Sequence, residues 1–316
     1  MANLGGALLS TGVAVTIAKS IIDPPSGPQG MVVVLAALVG AIAWNFITWY
    51  FGLPSSSSQA LISGLVGAGL ASSSTVHWTT GVVEKVIVPM ILSPIVGLVG
   101  GYTLMVIALW VLRKANPHRV DRGFRMAQIF SATSLALGHG LQDAQKSMGI
   151  IVLALVTAGY QQNYVVPIWV VLLCALALAA GTYSGGWRIM RTVGRRIFLL
   201  RPLHGFVAEA TASSALYLTA FVIAAPISTT QVMTASVMDV GATRRIRAVR
   251  WGVAREIGMA WVLALPAPAA IAALTYLLAT GWLVAASAVV CRFSCTWKKG
   301  HTRAKRSVYA PISRRS

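Results

Sequence analysis

The sequence predicts an all-α polytopic membrane protein built from inverted repeats, with broken helices and re-entrant hairpins. Three observations predict it. The 316 residues are 56% hydrophobic and 10% charged, with a mean hydropathy of +0.73, which excludes an ordinary soluble domain and a disordered chain alike. Uncharged runs cover 1–18, 31–53, 86–112, 165–187, 210–238 and 257–291, and roughly 20 helical residues cross a bilayer core of about 30 Å. Two proline-led clusters, G-L-P-S-S-S-S-Q at 52–59 and A-P-I-S-T-T-Q at 225–231, stand in register: Pro54, Gln59, Glu84 and Pro94 have counterparts 172 residues on in Pro226, Gln231, Glu256 and Pro266.

In chain order, 1–18 is a first apolar run, and 31–72 is a span followed by a half-helix starting at the Pro54 break. Residues 86–112 make a further span. The 210–238 run carries Pro226 and its hydroxyls midway, so it reads as a helix entering a re-entrant hairpin, the counterpart of 31–72. Proline ends each helix because it lacks an N–H and clashes with the preceding turn.

The net charge of +19 is concentrated in short connections, Arg113 to Arg125, Arg188 to Arg201 and Arg244 to Arg255. The positive-inside bias makes these cytoplasmic and leaves no basic domain for nucleic acid. The counterparts of the last two, 172 residues earlier, are poor in charge: 72–83 has no Lys or Arg, and 16–29 has Lys19 balanced by Asp23. Opposite charge bias in equivalent loops is what two repeats inserted upside down would show, and inverted repeats let two half-structures alternate access to a midplane site. The expected organisation is a first repeat at 1–112, a basic cytoplasmic loop at 113–125, a second repeat at 126–281 and a basic tail at 282–316. Cys174, Cys291 and Cys295 form no disulfide or metal framework and are read as inert thiols. The N-terminus lacks a basic leader and cleavage site, so no removed signal peptide is expected.

After each proline, a new half-helix begins with orphan N–H groups and a positive dipole end, which favour an anion. Ser56, Ser57 and Ser58 in one half and Ser228, Thr229 and Thr230 in the other add neutral donors. Two such tips meeting at the midplane make an oxyanion site for a tetrahedral anion. A second constellation lies at 138–149, G-H-G-L-Q-D-A-Q-K-S-M-G. Asp143 and Lys146 are spaced for a helical ion pair. The glycines at 138, 140 and 149 also suggest an unwound segment whose carbonyls, with Asp143 and Gln142, hold a small cation. Glu209 is a second acidic pathway residue, ranked above Glu84 and Glu256, which neighbour Lys85 and Arg255 as interfacial pairs. No phosphate loop, nucleophile elbow or zinc motif is present, so the chain reads as a non-enzyme without cofactor or metal, driven by a coupled ion.

The stretches at 6–17 (G-A-L-L-S-T-G-V-A-V-T-I), 54–68, 139–151, 185–194 (G-G-W-R-I-M-R-T-V-G), 205–209 (G-F-V-A-E) and 226–231 (P-I-S-T-T-Q) together resemble the inorganic phosphate transporter family, the Pit-type permeases, over residues 1 to about 280. The resemblance implies an inverted-repeat symporter in the cell (plasma or inner) membrane. It would move phosphate at low affinity with protons or sodium, or as a metal–phosphate complex. Its serine and threonine tips would bind phosphate and its Asn-Asp motifs the cation. The expected partners are inorganic phosphate, that coupling cation and the lipid bilayer, with homodimerisation left open and no nucleic acid.

The sequence departs from the family pattern at several points. Gln142-Asp143 stands for the second Asn-Asp motif, Gln59 and Gln231 stand where many members have histidine, and Asp239 answers to Gly67. A carboxylate at 239 would cap a helix end or repel phosphate. The chain opens inside a helix, and the first Asn-Asp motif would fall before Met1, so an N-terminally truncated, impaired copy is expected. The tail after Trp282 diverges: a shifted frame or degraded gene end and a lipid-binding basic tail are the two readings. A sulfate permease of the same fold and a non-transporting membrane remnant are the alternative functions.

Overall fold

The structure is a computed structural model and describes residues 2–25, 27–197, 200–223, 226–243 and 249–281. The expected basic tail at 282–316, with Cys291 and Cys295, lies outside the described residues. Helices α1 (Ala2–Ala7) and α2 (Gly12–Ser20) open the chain, followed by α3 (Pro28–Phe51) and α4 (Ser57–Ala71). A π-helical stretch, Trp78–Ile87, leads into α5 (Val88–Val111), and α6 is a single 41-residue helix, Pro117–Thr157. Then come α7 (Ile168–Gly185), α8 (Trp187–Arg191), α9 (Pro202–Leu218) with a π-helical end at Thr219–Ile223, α10 (Thr229–Ala242), α11 (Trp251–Leu263) and α12 (266–281). The strands, β1 (Ile22–Asp23) and β2 (Thr75–Val76), pair antiparallel and are tied by a His77–Asp23 contact of 2.9 Å.

Five helical stretches are long and apolar enough to cross a membrane: Pro28–Phe51, Trp78–Val111, Ile168–Gly185, Pro202–Ile223 and Trp251–Gly281. Their outward faces carry large apolar side chains such as Phe46, Val99, Trp110 and Leu173, all more than half or nearly half exposed. A contiguous apolar exterior of this extent is the surface a bilayer covers. This is a multi-pass, all-α membrane protein.

Three expectations differ from what is observed. The 1–18 run is not one span: it breaks between α1 and α2 at Leu8–Thr11, leaving helices of 6 and 9 residues. The basic stretch 113–125 is mostly helix, because Pro117 at the first helical turn and the Asn116 side chain, which accepts from His118 N at 3.0 Å, start α6 there. The boundary expected at 126 therefore falls inside a continuous helix. Nor does 138–149 unwind. Its glycines admit neighbours instead: a Cβ at Gly140 would meet the Asn3 carbonyl oxygen at 2.1 Å, and one at Gly149 the Ala14 carbonyl oxygen at 2.8 Å. Glycine lets α1 and α2 seat on α6 at backbone distance.

The two halves also cross over. A Cβ at Gly97 of α5 would lie 2.5 Å from Val232 O of α10, and one at Gly67 of α4 would lie 2.1 Å from Ala269 O of α12. Residues 97 and 269 stand 172 apart, so the two half-helices α4 and α10 are each packed at backbone distance by a helix in the same sequence register.

Candidate functional site

Gly52, in the left-handed region at φ 67°, closes α3 by donating to Thr48 O and Trp49 O. Pro54 then prevents resumption, and the chain re-enters a helix at Ser56. The Ser56 backbone is extended (φ −90°, ψ 109°), and its hydroxyl accepts from Gln59 N at 3.3 Å. After the second break Ser228 repeats this (φ −84°, ψ 101°), accepting from Gln231 N at 3.3 Å. A serine N-cap in extended backbone satisfies one of the orphan N–H groups and leaves the rest of the first turn open to an acceptor.

The tips meet. Gln231 Nε2 donates to Gln59 Oε1 at 3.4 Å, so these two residues, 172 positions apart, are in contact. A small cavity there, about 10 Å³ and so no roomier than one water needs, is lined by Ser56, Ser58, Gln59, Pro226, Ser228 and Lys85. Within it, Ser58 Oγ and Gln59 Nε2 are buried with no hydrogen-bond partner among the described residues, as is the neighbouring Gln231 Oε1. Buried polar groups are nearly always satisfied, so this cluster is poised for a polar occupant.

Of the six hydroxyl residues expected to bind the anion, Ser56, Ser58 and Ser228 line the cavity, while Ser57 and Thr230 do not. Thr229 turns the other way, its hydroxyl 3.4 Å from both carboxylate oxygens of Asp143. Asp143 also accepts from Lys146 Nζ and lies 3.3 Å from His139 Nδ1. Gln142 beside it donates to Thr219 Oγ1 at 3.1 Å, and its own carbonyl oxygen has no partner among the described residues. Glu209 is not brought to this group. Its carboxylate accepts from Ser131 Oγ at 2.5 Å, and Ser131 is twelve residues before Asp143, about 18 Å along α6.

Lys85 is the cavity residue sequence reading assigned elsewhere, to an interfacial pair with Glu84. Among the described residues neither Lys85 with Glu84 nor Arg255 with Glu256 forms an ion pair. A lone lysine inside the apolar stretch 78–111 was the available signal. Asp239 is neither a cap nor a neighbour of the tips: it sits ten residues along α10 from Thr229, about 15 Å. There it faces α5, where a Cβ at Gly101 would be 3.6 Å from Asp239 Oδ2. Among the described residues no cluster of three or more His, Cys, Asp or Glu could hold a metal ion.

A profile of the phosphate transporter family matches residues 1–272. A probable low-affinity inorganic phosphate transporter of Bacillus subtilis is 42% identical over 275 residues, covering 87% of this chain and 82% of that protein. One of Rhizobium meliloti is 46% identical over 267 residues, covering 84% and 78%. Among solved structures, a sodium-dependent phosphate transporter superposes with a TM-score of 0.76 at 21% identity, covering 88% of this chain and 87% of that one. The likeness is to permeases and not to enzymes, and the chain belongs to the phosphate transporter family.

Proposed function

We propose that the chain is a low-affinity permease for inorganic phosphate that couples the anion to a proton or sodium through two inverted halves. The observation that carries this reading is the cavity between the capped tips, where Ser58 Oγ and Gln59 Nε2 are unpartnered and Lys85 supplies a positive charge. Helix N-termini, neutral donors and one cation are what a tetrahedral oxyanion needs. The relatives' names add phosphate and low affinity; sodium belongs to the name of the structural neighbour.

The glutamine pair favours phosphate over sulfate. A single hydrogen bond between two amides leaves one free NH2 and one free carbonyl, whichever way the amides are turned. Here they are Gln59 Nε2 and Gln231 Oε1. Hydrogen phosphate both accepts and donates and so uses both; sulfate has no proton for the carbonyl, which stays buried and unsatisfied at a cost of about 1–3 kcal/mol.

Uptake of radiolabelled phosphate by the purified chain in liposomes, with an imposed proton or sodium gradient, tests the reading. Saturable uptake above that of empty liposomes is expected, with sulfate competing weakly, and Gln231→Leu is expected to narrow the phosphate preference. Sulfate competing as well as phosphate would transfer the assignment to a sulfate permease. No uptake of either anion would sink the permease reading.

A further inference from the structure

Lys146 is the least explained buried charge among the described residues. It is 3% exposed, and a buried ammonium is retained only where it is paired and hydrogen-bonded. One partner is the Asp143 carboxylate on the same helix. The other is Ile227 O, 3.3 Å away, at the break before α10. A helical ion pair would be complete without that second contact. With it, the ammonium joins a carboxylate on α6 to a carbonyl freed from helical bonding, and the Thr229 hydroxyl at the first position of α10 closes the group on Asp143.

A carboxylate, a carbonyl at a helix break and a hydroxyl are also the oxygens a small hard cation takes at such breaks. We propose that Lys146 is a tethered cation. Its ammonium fills the place beside Asp143 and Ile227 O that a free sodium ion would require, so the second tip is organised for its anion without sodium. Charge supports this assignment. Asp143 and Lys146 neutralise each other, and a sodium ion added beside them would bring an uncompensated charge into a low-dielectric site. His139, 3.3 Å from Asp143 and about one-third exposed, supplies no further negative group.

The inference rests on the phosphate reading for its ligand, and the experiment separates the two. The purified full chain is examined in detergent with sodium chloride replacing choline chloride at constant ionic strength and pH, reading both the thermal midpoint and phosphate binding. For the wild type neither is expected to respond to sodium. For Lys146→Ala, sodium is expected to raise the midpoint and to tighten phosphate binding by about fivefold or more, the low end of ordinary coupling between two ligands. A wild type whose phosphate affinity rises that much with sodium overturns the proposal. So does a Lys146→Ala protein that is destabilised equally in both salts, because the ammonium would then be a structural partner only. If the variant does not fold, the wild-type comparison decides. A wild type that binds no phosphate in either salt refutes the phosphate reading, while its midpoint still reports on sodium.

Discussion

The two tips share a backbone and differ in charge. Ser56 and Ser228 cap their helices with the same dihedral angles and the same 3.3 Å bond. Yet the carbonyls engaged at the two breaks, one residue apart in the 172-residue register, find different donors. Pro54 O accepts from the neutral indole of Trp261 at 2.9 Å, and Ile227 O accepts from the Lys146 ammonium at 3.3 Å. Hydroxyls on either side of the caps are also engaged: Ser55 Oγ, just before the first cap, accepts from Trp44 Nε1, and the Thr229 hydroxyl, just after the second, is aimed at Asp143. The proline–serine sequence dictates the break and the cap locally, so both halves keep it. What surrounds the break is set by tertiary neighbours, and there the two tips differ: one is neutral and the other is built into an ion pair, while Lys85, with no ion pair among the described residues, stands on the wall of the cavity both tips line.

The largest expected effect tests that division. Asp143→Asn strips Lys146 of its counter-charge at a site only 3% exposed, and breaking one side of a buried pair costs about 3–5 kcal/mol. At the neutral tip, Trp261→Phe leaves one buried carbonyl unsatisfied, worth about 1–3 kcal/mol. Thermal unfolding of the detergent-solubilised protein should rank Asp143→Asn as the more damaging, with Asp143→Asn/Lys146→Met recovering much of the loss. Equal damage at both tips would mean that charge does not distinguish them.

Next comes Lys85 on the cavity wall. Lys85→Gln keeps the side chain polar but removes its charge from the cavity wall. Loss of a hydrogen bond to a charged group predicts phosphate binding weaker by about 1.5–3 kcal/mol, with Lys85→Arg retaining most of it. Calorimetric titration of the two variants checks this; unchanged affinity in Lys85→Gln would remove Lys85 from the site.

Much of this arrangement was legible in the chain. The breaks and caps follow from Pro54 with Ser56 and Pro226 with Ser228, because a proline and a short hydroxyl act on their own neighbours. The continuity of α6 was not, since Gly138, Gly140 and Gly149 permit either an unwound strand or a close packing surface. Only Asn3 and Ala14, more than a hundred residues away, decide between them. For the same reason the sequence pairs Lys85 with its neighbour Glu84 and not with Ser58 across the cavity, and groups Glu209 with Asp143 although about 18 Å of α6 separates Asp143 from Ser131, the partner of Glu209.

The smallest expected effect is the sharpest test of likeness. Ser56→Ala and Ser228→Ala each delete an N-cap, for which helices lose about 1 kcal/mol. The deleted bond is the same in both, to Gln59 N in one tip and Gln231 N in the other. Amide hydrogen exchange at those two N–H groups reads the caps directly, and a loss of that size predicts a several-fold faster exchange at the affected amide. Because the Gln59 and Gln231 side chains bond to each other, each variant is also expected to speed exchange slightly at the opposite tip. Contacting residues do not respond additively, so the double variant should lose less or more than the two singles together by about 0.5 kcal/mol or more. Strict additivity would mean that the tips meet without communicating. A cap loss confined to one of them would mean that the shared backbone is held by neighbours and not by the serines.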